Sequence, residues 1–147
     1  MGTDIHISAE KRVDGRWIEI GRELMYYRIY SVFGWLADVC NASAVPPLSE
    51  RRGLPDDLAE RLREYHDDNH SPTWYMASEL VSFDFDPVED RRKRGKLPDG
   101  SISGMITCPP GEGEMTTYRA LFGPFSWMGS TISRPLAAER IVISFGG

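Results

Sequence analysis

Cysteine is scarce in this chain of 147 residues: Cys40 and Cys108 are the only two. So few, so far apart, exclude a disulfide-dense secreted scaffold and point to reduced thiols in a cytosol, a single bridge being the other option. No apolar run reaches membrane-spanning length, and no signal-peptide pattern opens the chain. There is no internal repeat, phosphate-loop glycine motif, nucleophile elbow or zinc-finger spacing. An excess of positive charge is also absent, since 17 Lys and Arg stand against 22 Asp and Glu for a net charge of −5. That argues against broad nucleic-acid binding, which rests on a basic field. A small anion needs only a few placed arginines and stays within reach. The absences imply a cytoplasmic protein with no membrane partner.

What is present is ordinary in bulk and unusual in detail. The apolar fraction is 41% and the charged fraction 27%, as in a typical globular chain. The length suits one domain over 1–147 with a real core. The opening Gly2-Thr3-Asp4-Ile5-His6-Ile7-Ser8-Ala9-Glu10 alternates apolar with ionisable or polar side chains, the period-two pattern of a strand. Asp14-Gly15 follows as a two-residue hairpin signal. A type I′ turn there sets Val13 opposite Arg16, Arg12 opposite Trp17, Glu10 opposite Glu19 and Ala9 opposite Ile20. Ile5, Ile7, Ala9, Ile18 and Ile20 then share one face, and Asp4, His6, Ser8, Glu10, Trp17 and Glu19 the other. A one-residue slip would destroy the separation.

Further on, Ile29, Val32, Phe33, Leu36, Ala37 and Cys40 follow the spacing of an amphipathic helix. Ser31 suits its cap and Asn41 a left-handed end. Tyr30 and Trp35 lie off the apolar stripe. Pro55-Asp56-Asp57 predicts the start of a second helix, with Leu58, Leu62 and Tyr65 as its buried stripe. Thr73-Trp74-Tyr75 reads as extended and 77–83 as a short helix. Residues 90–130 read as a long loop or flap with one strand near 102–107, and Arg91 to Arg94 as a solvated charge run. The β-branched run from Arg140 to Phe145 reads as a strand beside the N-terminal one. The predicted class is α+β: a mainly antiparallel sheet, from the N-terminal hairpin and the C-terminal strand, with two or three helices packed on one face.

Several motifs in order resemble an uncharacterised family of small bacteriophage proteins. They are Gly2-Thr3-Asp4-Ile5-His6; Arg28-Ile29-Tyr30 with Phe33, Leu36, Ala37 and Asn41; Arg52-Gly53-Leu54-Pro55 with Asp57; His70-Ser71-Pro72-Thr73-Trp74 with Glu79-Leu80; and the run from Arg140 to Phe145. Order and spacing match over nearly the whole chain. Thr3 stands where the family more often has cysteine, Gly146-Gly147 replaces a more polar aromatic ending, and 90–129 matches no motif. The resemblance implies a phage source and a set of positions, and no settled activity.

Arg28, Tyr30, Trp35, Arg52, His70 and Trp74 are the ligand-contact candidates. Guanidinium forks hold phosphate bidentately, and aromatic faces stack on purines. For any one of them, an ion pair or a core position is the plainer reading. Asp4, His6 and His70 would serve general acid–base chemistry if the two histidines converge. Asp4, His6 and Glu10 on one strand face offer a divalent metal site, against the plainer reading of a solvated face. His66 and His70, four apart, are a weaker metal pair. The preferred function is a phage accessory protein, in the host cytosol during infection, that sequesters a small nucleotide-derived molecule without a cofactor. A host immune signal such as a cyclic nucleotide or an ADP-ribose derivative is the expected class. Its pocket would be closed by the 90–130 segment or by a second subunit of a homo-oligomer. The alternatives are a metal- or His-dependent phosphoester hydrolase of such a molecule, and an inhibitor of a host protein acting through Phe125 to Met128.

Overall fold

A computed structural model describes residues 2–25, 28–83, 87–96, 99–123 and 137–147. In chain order the elements are β1 (Asp4–Val13), β2 (Arg16–Gly21), α1 (Tyr30–Ala37), α2 (Glu60–Asp67), β3 (His70–Met76), α3 (Ala77–Val81), β4 (Pro87–Asp90), β5 (Arg92–Lys96), β6 (Ile102–Thr107), β7 (Glu114–Thr117), α4 (Tyr118–Phe122) and β8 (Arg140–Gly146). The class is α+β, an antiparallel sheet of N-terminal hairpin and C-terminal strand with helices. The chain divides into two compact units, a division the composition does not announce.

The first unit comprises Met1–Arg28, Ser49–Asp84 and Trp127–Gly147. Its sheet has four strands in the order β2-β1-β8-β3. Asp14 and Gly15 have φ of 51° and 79°, the paired positive values of a type I′ turn. Val13 pairs with Arg16, Arg12 with Trp17 and Glu10 with Glu19, as the turn dictates. Beyond them the register shifts, so that Ala9 faces Gly21 rather than Ile20. This is a bulge with Ile20 as the extra residue.

Alternation sorts the sheet into two faces. Ile5, Ile7 and Ala9 pair with Phe145, Ile143 and Ile141 across β8, and all six are buried. The opposite face carries His6, Ser8 and Glu10 beside Ser144, Val142 and Arg140. That face is not left to solvent. Leu58, Ala59 and Leu62 cluster there with Val142, flanked by Trp17, Leu54, Tyr65 and Trp74. Leu62 is wholly buried, which contributes about 2 kcal/mol.

α2 begins at Glu60, later than Pro55 as predicted. The cause is tertiary. Asp57 is drawn to Arg140 and Trp17, and the Ala59 N–H donates to the Glu10 carboxylate at 2.6 Å. Glu10, from another strand, thus satisfies a helix-entry amide that a local cap would otherwise take.

The second unit comprises Ile29–Leu48 and Phe85–Ser126. It holds α1, α4 and two separate antiparallel pairs, β4 with β7 and β5 with β6. Most of the described part of 90–123 is therefore strand, turn or helix rather than loop. Glu89 fixes the intervening turn by accepting from the Gly111 and Gly113 amides at 3.2 and 2.8 Å, which hold its carboxyl below the usual range. α1 is shorter than its apolar periodicity suggests and ends at Asp38, in the left-handed region at φ 56°. Ser31 does not cap it; its hydroxyl donates to the Leu121 carbonyl. Asn41 instead braces the loop beyond, accepting from the Val45 amide and donating to the Val45 carbonyl and to Asp38.

Candidate functional site

The site lies in the first unit, where the polar sheet face runs past the end of α2. Arg12, Trp17, Arg140, Trp74 and Met76 come from the four strands and share this face by register. The segment leading to α2 adds Arg52, Leu54 and the Pro55–Asp57 turn. Together they line a groove of about 660 Å³.

Guanidinium and indole groups alternate along it. Arg12 lies 5.6 Å from the Trp17 ring centre, and Arg140 lies 4.1 Å from the same ring. Arg140 is 5.7 Å from Trp74, and Arg52 is 5.0 Å from Trp74 and 4.8 Å from Tyr75. Each contact sets a cation against a π face. Arg52 reaches rings on both faces because β3 is the sheet edge. The Arg52 amide donates to Thr73 Oγ1 and the Gly53 amide to the Pro72 carbonyl, holding this segment along that edge.

Two of the three arginines are neutralised. Arg140 donates to Glu10 at 2.5 Å and to Asp57 at 2.7 Å, and the Trp17 indole N–H also donates to Asp57. Burial works to lower the Arg140 pKa, but its bonds to Glu10 and Asp57 outweigh that and raise it. Asp57 is held below the usual carboxylate range, chiefly by Arg140. Arg52 makes a two-pronged bond to Glu79, at 2.6 and 2.7 Å. This raises the Arg52 pKa and lowers that of Glu79, which also accepts from the Met76 amide at the start of α3. Arg12 is exposed, and among the described residues no carboxylate pairs with it. Arg52 Nη1 is taken up by Glu79 and the Trp74 carbonyl, so the groove presents two indole surfaces, one uncompensated cation and the Nε and second Nη2 N–H of Arg52. That suits a planar anion.

Of the residues proposed from sequence, the structure brings Arg52 and Trp74 together here. It places the others elsewhere. Arg28 pairs with Asp4 at 2.7 Å, both about half exposed. Tyr30 lies in the second unit, edge-on to Phe33 and lining a separate groove of about 510 Å³. Trp35 is wholly buried against Phe122, in the core of the second unit. His70 is exposed, bonded to the neighbouring Ser71 and tilted against Phe145. Arg12, Trp17 and Arg140 were not among the candidates. The hairpin register already set Arg12 opposite Trp17, and that pairing was the available signal.

The catalytic and metal candidates do not converge. His6 lies opposite Ser144 and His70 opposite Phe145, successive positions of β8, so they occupy opposite faces. Asp4 is engaged by Arg28, His6 by Glu23 at 3.0 Å, and Glu10 by Arg140 and Ala59. His66 is buried between the Ser8 and Ser144 hydroxyls, at 2.8 and 2.6 Å, and so is not paired with His70. Among the described residues, no group of three or more His, Cys, Asp and Glu is arranged to hold a metal ion. Phe125 to Met128 lie outside the described residues.

No family model, curated protein or solved structure matches the chain.

Proposed function

We propose that this chain binds and sequesters a small nucleotide-derived anion in the Arg12–Trp17–Trp74–Arg52 groove. The observation that carries the reading is the juxtaposition of two indole faces with an uncompensated guanidinium in a cleft of about 660 Å³, a volume that suits a nucleotide. A base would stack on Trp74 or Trp17, and phosphate would be held by Arg12 and the outer edge of Arg52. The phage setting, the host cytosol and a cyclic nucleotide or ADP-ribose derivative as cargo rest on the motif resemblance, an association rather than a geometric argument. Thermal melting against a panel of such molecules tests the reading. A groove ligand raises Tm with its concentration, and Arg12→Ala removes the rise. A panel that leaves Tm unchanged counts against it.

One observation favours a hydrolase as the second reading. His6 Nδ1 is fixed by Glu23, which also accepts from the Tyr65 hydroxyl at 2.5 Å. Nε2 of His6 has no hydrogen-bond partner among the described residues. A carboxylate-oriented imidazole of this kind can act as a general base. Turnover that depends on His6 and survives Arg12→Ala would favour it over sequestration.

A further inference from the structure

The second unit carries a surface whose charge runs against the rest of the chain. Residues 91–107 hold five of the 17 basic residues and one of the 22 acidic ones. Structure turns this run into a ribbon. β5 and β6 pair only with each other, with Arg92 opposite Thr107, Lys93 opposite Ile106 and Arg94 opposite Met105. Arg92, Lys93, Arg94 and Lys96 are exposed. Met105 and Ile106 are 51% and 50% exposed, on opposite faces by alternation. Lys93 and Ile106 share one face, while Met105 on the other lines the same groove as Tyr30 and Arg92. Asp90 lies 4.0 Å from Arg92, and the Glu89 carboxylate also feels Lys93.

We infer that the β5–β6 ribbon is a contact arm for duplex DNA. The low total charge excludes a basic field over the whole chain, but phosphate contact needs only a local one. A two-stranded ribbon fits the major groove of B-form DNA, whereas the major groove of A-form RNA is too narrow to admit it. Single strands are bound largely by aromatic stacking, and residues 91–107 contain no aromatic residue. A membrane-inserting hairpin needs an apolar tip, and the described Asp99-Gly100-Ser101 before β6 offers none. In the groove, Ile106 lies against base edges such as thymine methyls, and Arg92, Lys93, Arg94 and Lys96 reach the phosphates on either side.

The experiment is fluorescence anisotropy of the full chain with a labelled 20-base-pair DNA duplex between 50 and 200 mM salt. Four phosphate contacts predict roughly a 100-fold weakening over that range. The combined Arg92→Gln, Lys93→Gln, Arg94→Gln and Lys96→Gln variant is expected to lose binding while keeping the wild-type circular dichroism. Should it fail to fold, the single Lys93→Gln and Arg94→Gln variants each flatten the salt slope by about 0.9. No binding at 50 mM salt, binding that the singles leave unchanged, equal affinity for duplex RNA, or binding only to phosphatidylserine vesicles would each overturn the assignment.

Discussion

Glu10 and Arg140 face each other across β1 and β8 and form an ion pair at 2.5 Å with both side chains almost wholly buried. The pair organises everything around it. Glu10 holds the entry of α2 through the Ala59 amide. Arg140 holds Asp57 and lies against Trp17, which forms one wall of the groove. Removing one partner strands a buried charge, whereas removing both does not.

Arg140→Met is therefore expected to cost about 3–5 kcal/mol, while Glu10→Met with Arg140→Met costs less than either single change. Urea unfolding of the two singles and the double measures this. Singles that lose under about 1 kcal/mol would show that the pair is not what fixes this corner.

His66 gives the fold a pH dependence distinct from that of its carboxylates. Burial between Ser8 and Ser144 lowers its pKa from 6.5 to about 4. The unfolded chain then binds the proton first. The stabilisation is complete above pH 6.5 and lost as pH falls toward 4, by about 3 kcal/mol in all. Asp57 and Glu79, with lowered pKa values, lose theirs only below the ordinary carboxylate range. Unfolding measured from pH 7 to pH 4.5 should show the His66 loss, and His66→Gln should flatten it. An unchanged slope in that variant would assign the loss to another group.

Gly34 tests packing against propensity. In an exposed helix, Gly→Ala gains about 1 kcal/mol. Here an added methyl would meet Asn41 Oδ1 at 2.2 Å, and that oxygen accepts from the Val45 amide. Gly34→Ala is expected to destabilise by about 1–3 kcal/mol. A raised Tm in that variant would mean that Asn41 moves aside freely.

The hairpin register was legible because Asp14-Gly15 sets the turn and alternation sets the faces. The bulge at Ile20 was not, since it reflects how β2 meets Ala9 and leaves no pattern of its own. The entry of α2 was misplaced because its first amide is satisfied by Glu10, distant in sequence. β4, β5 and β7 were missed because each is only four or five residues long and lacks alternating apolar residues. Arg52 and Trp74 could be named as groove candidates by residue type. Arg140 could not, because its role depends on strand pairing with Glu10 and on two indoles brought in from other strands.

Arg12 is the groove residue whose loss should separate binding from stability. It is exposed, and among the described residues it stacks on Trp17 alone. Losing one charged contact costs about 1.5–3 kcal/mol of affinity, and an exposed substitution shifts stability by under about 0.5 kcal/mol. Titration calorimetry beside thermal melting of Arg12→Ala reads both quantities. Equal losses of affinity and of fold would undo the assignment.

The most direct measurement is to incubate the purified chain with cyclic di- and trinucleotides and ADP-ribose derivatives, remove free ligand by filtration, heat the retained protein, and identify what is released by mass spectrometry. Sequestration in the groove predicts that one class is depleted and returned intact, and that Arg12→Ala and Trp74→Ala no longer deplete it. A panel returned wholly undepleted, or depletion that both variants retain, would contradict it.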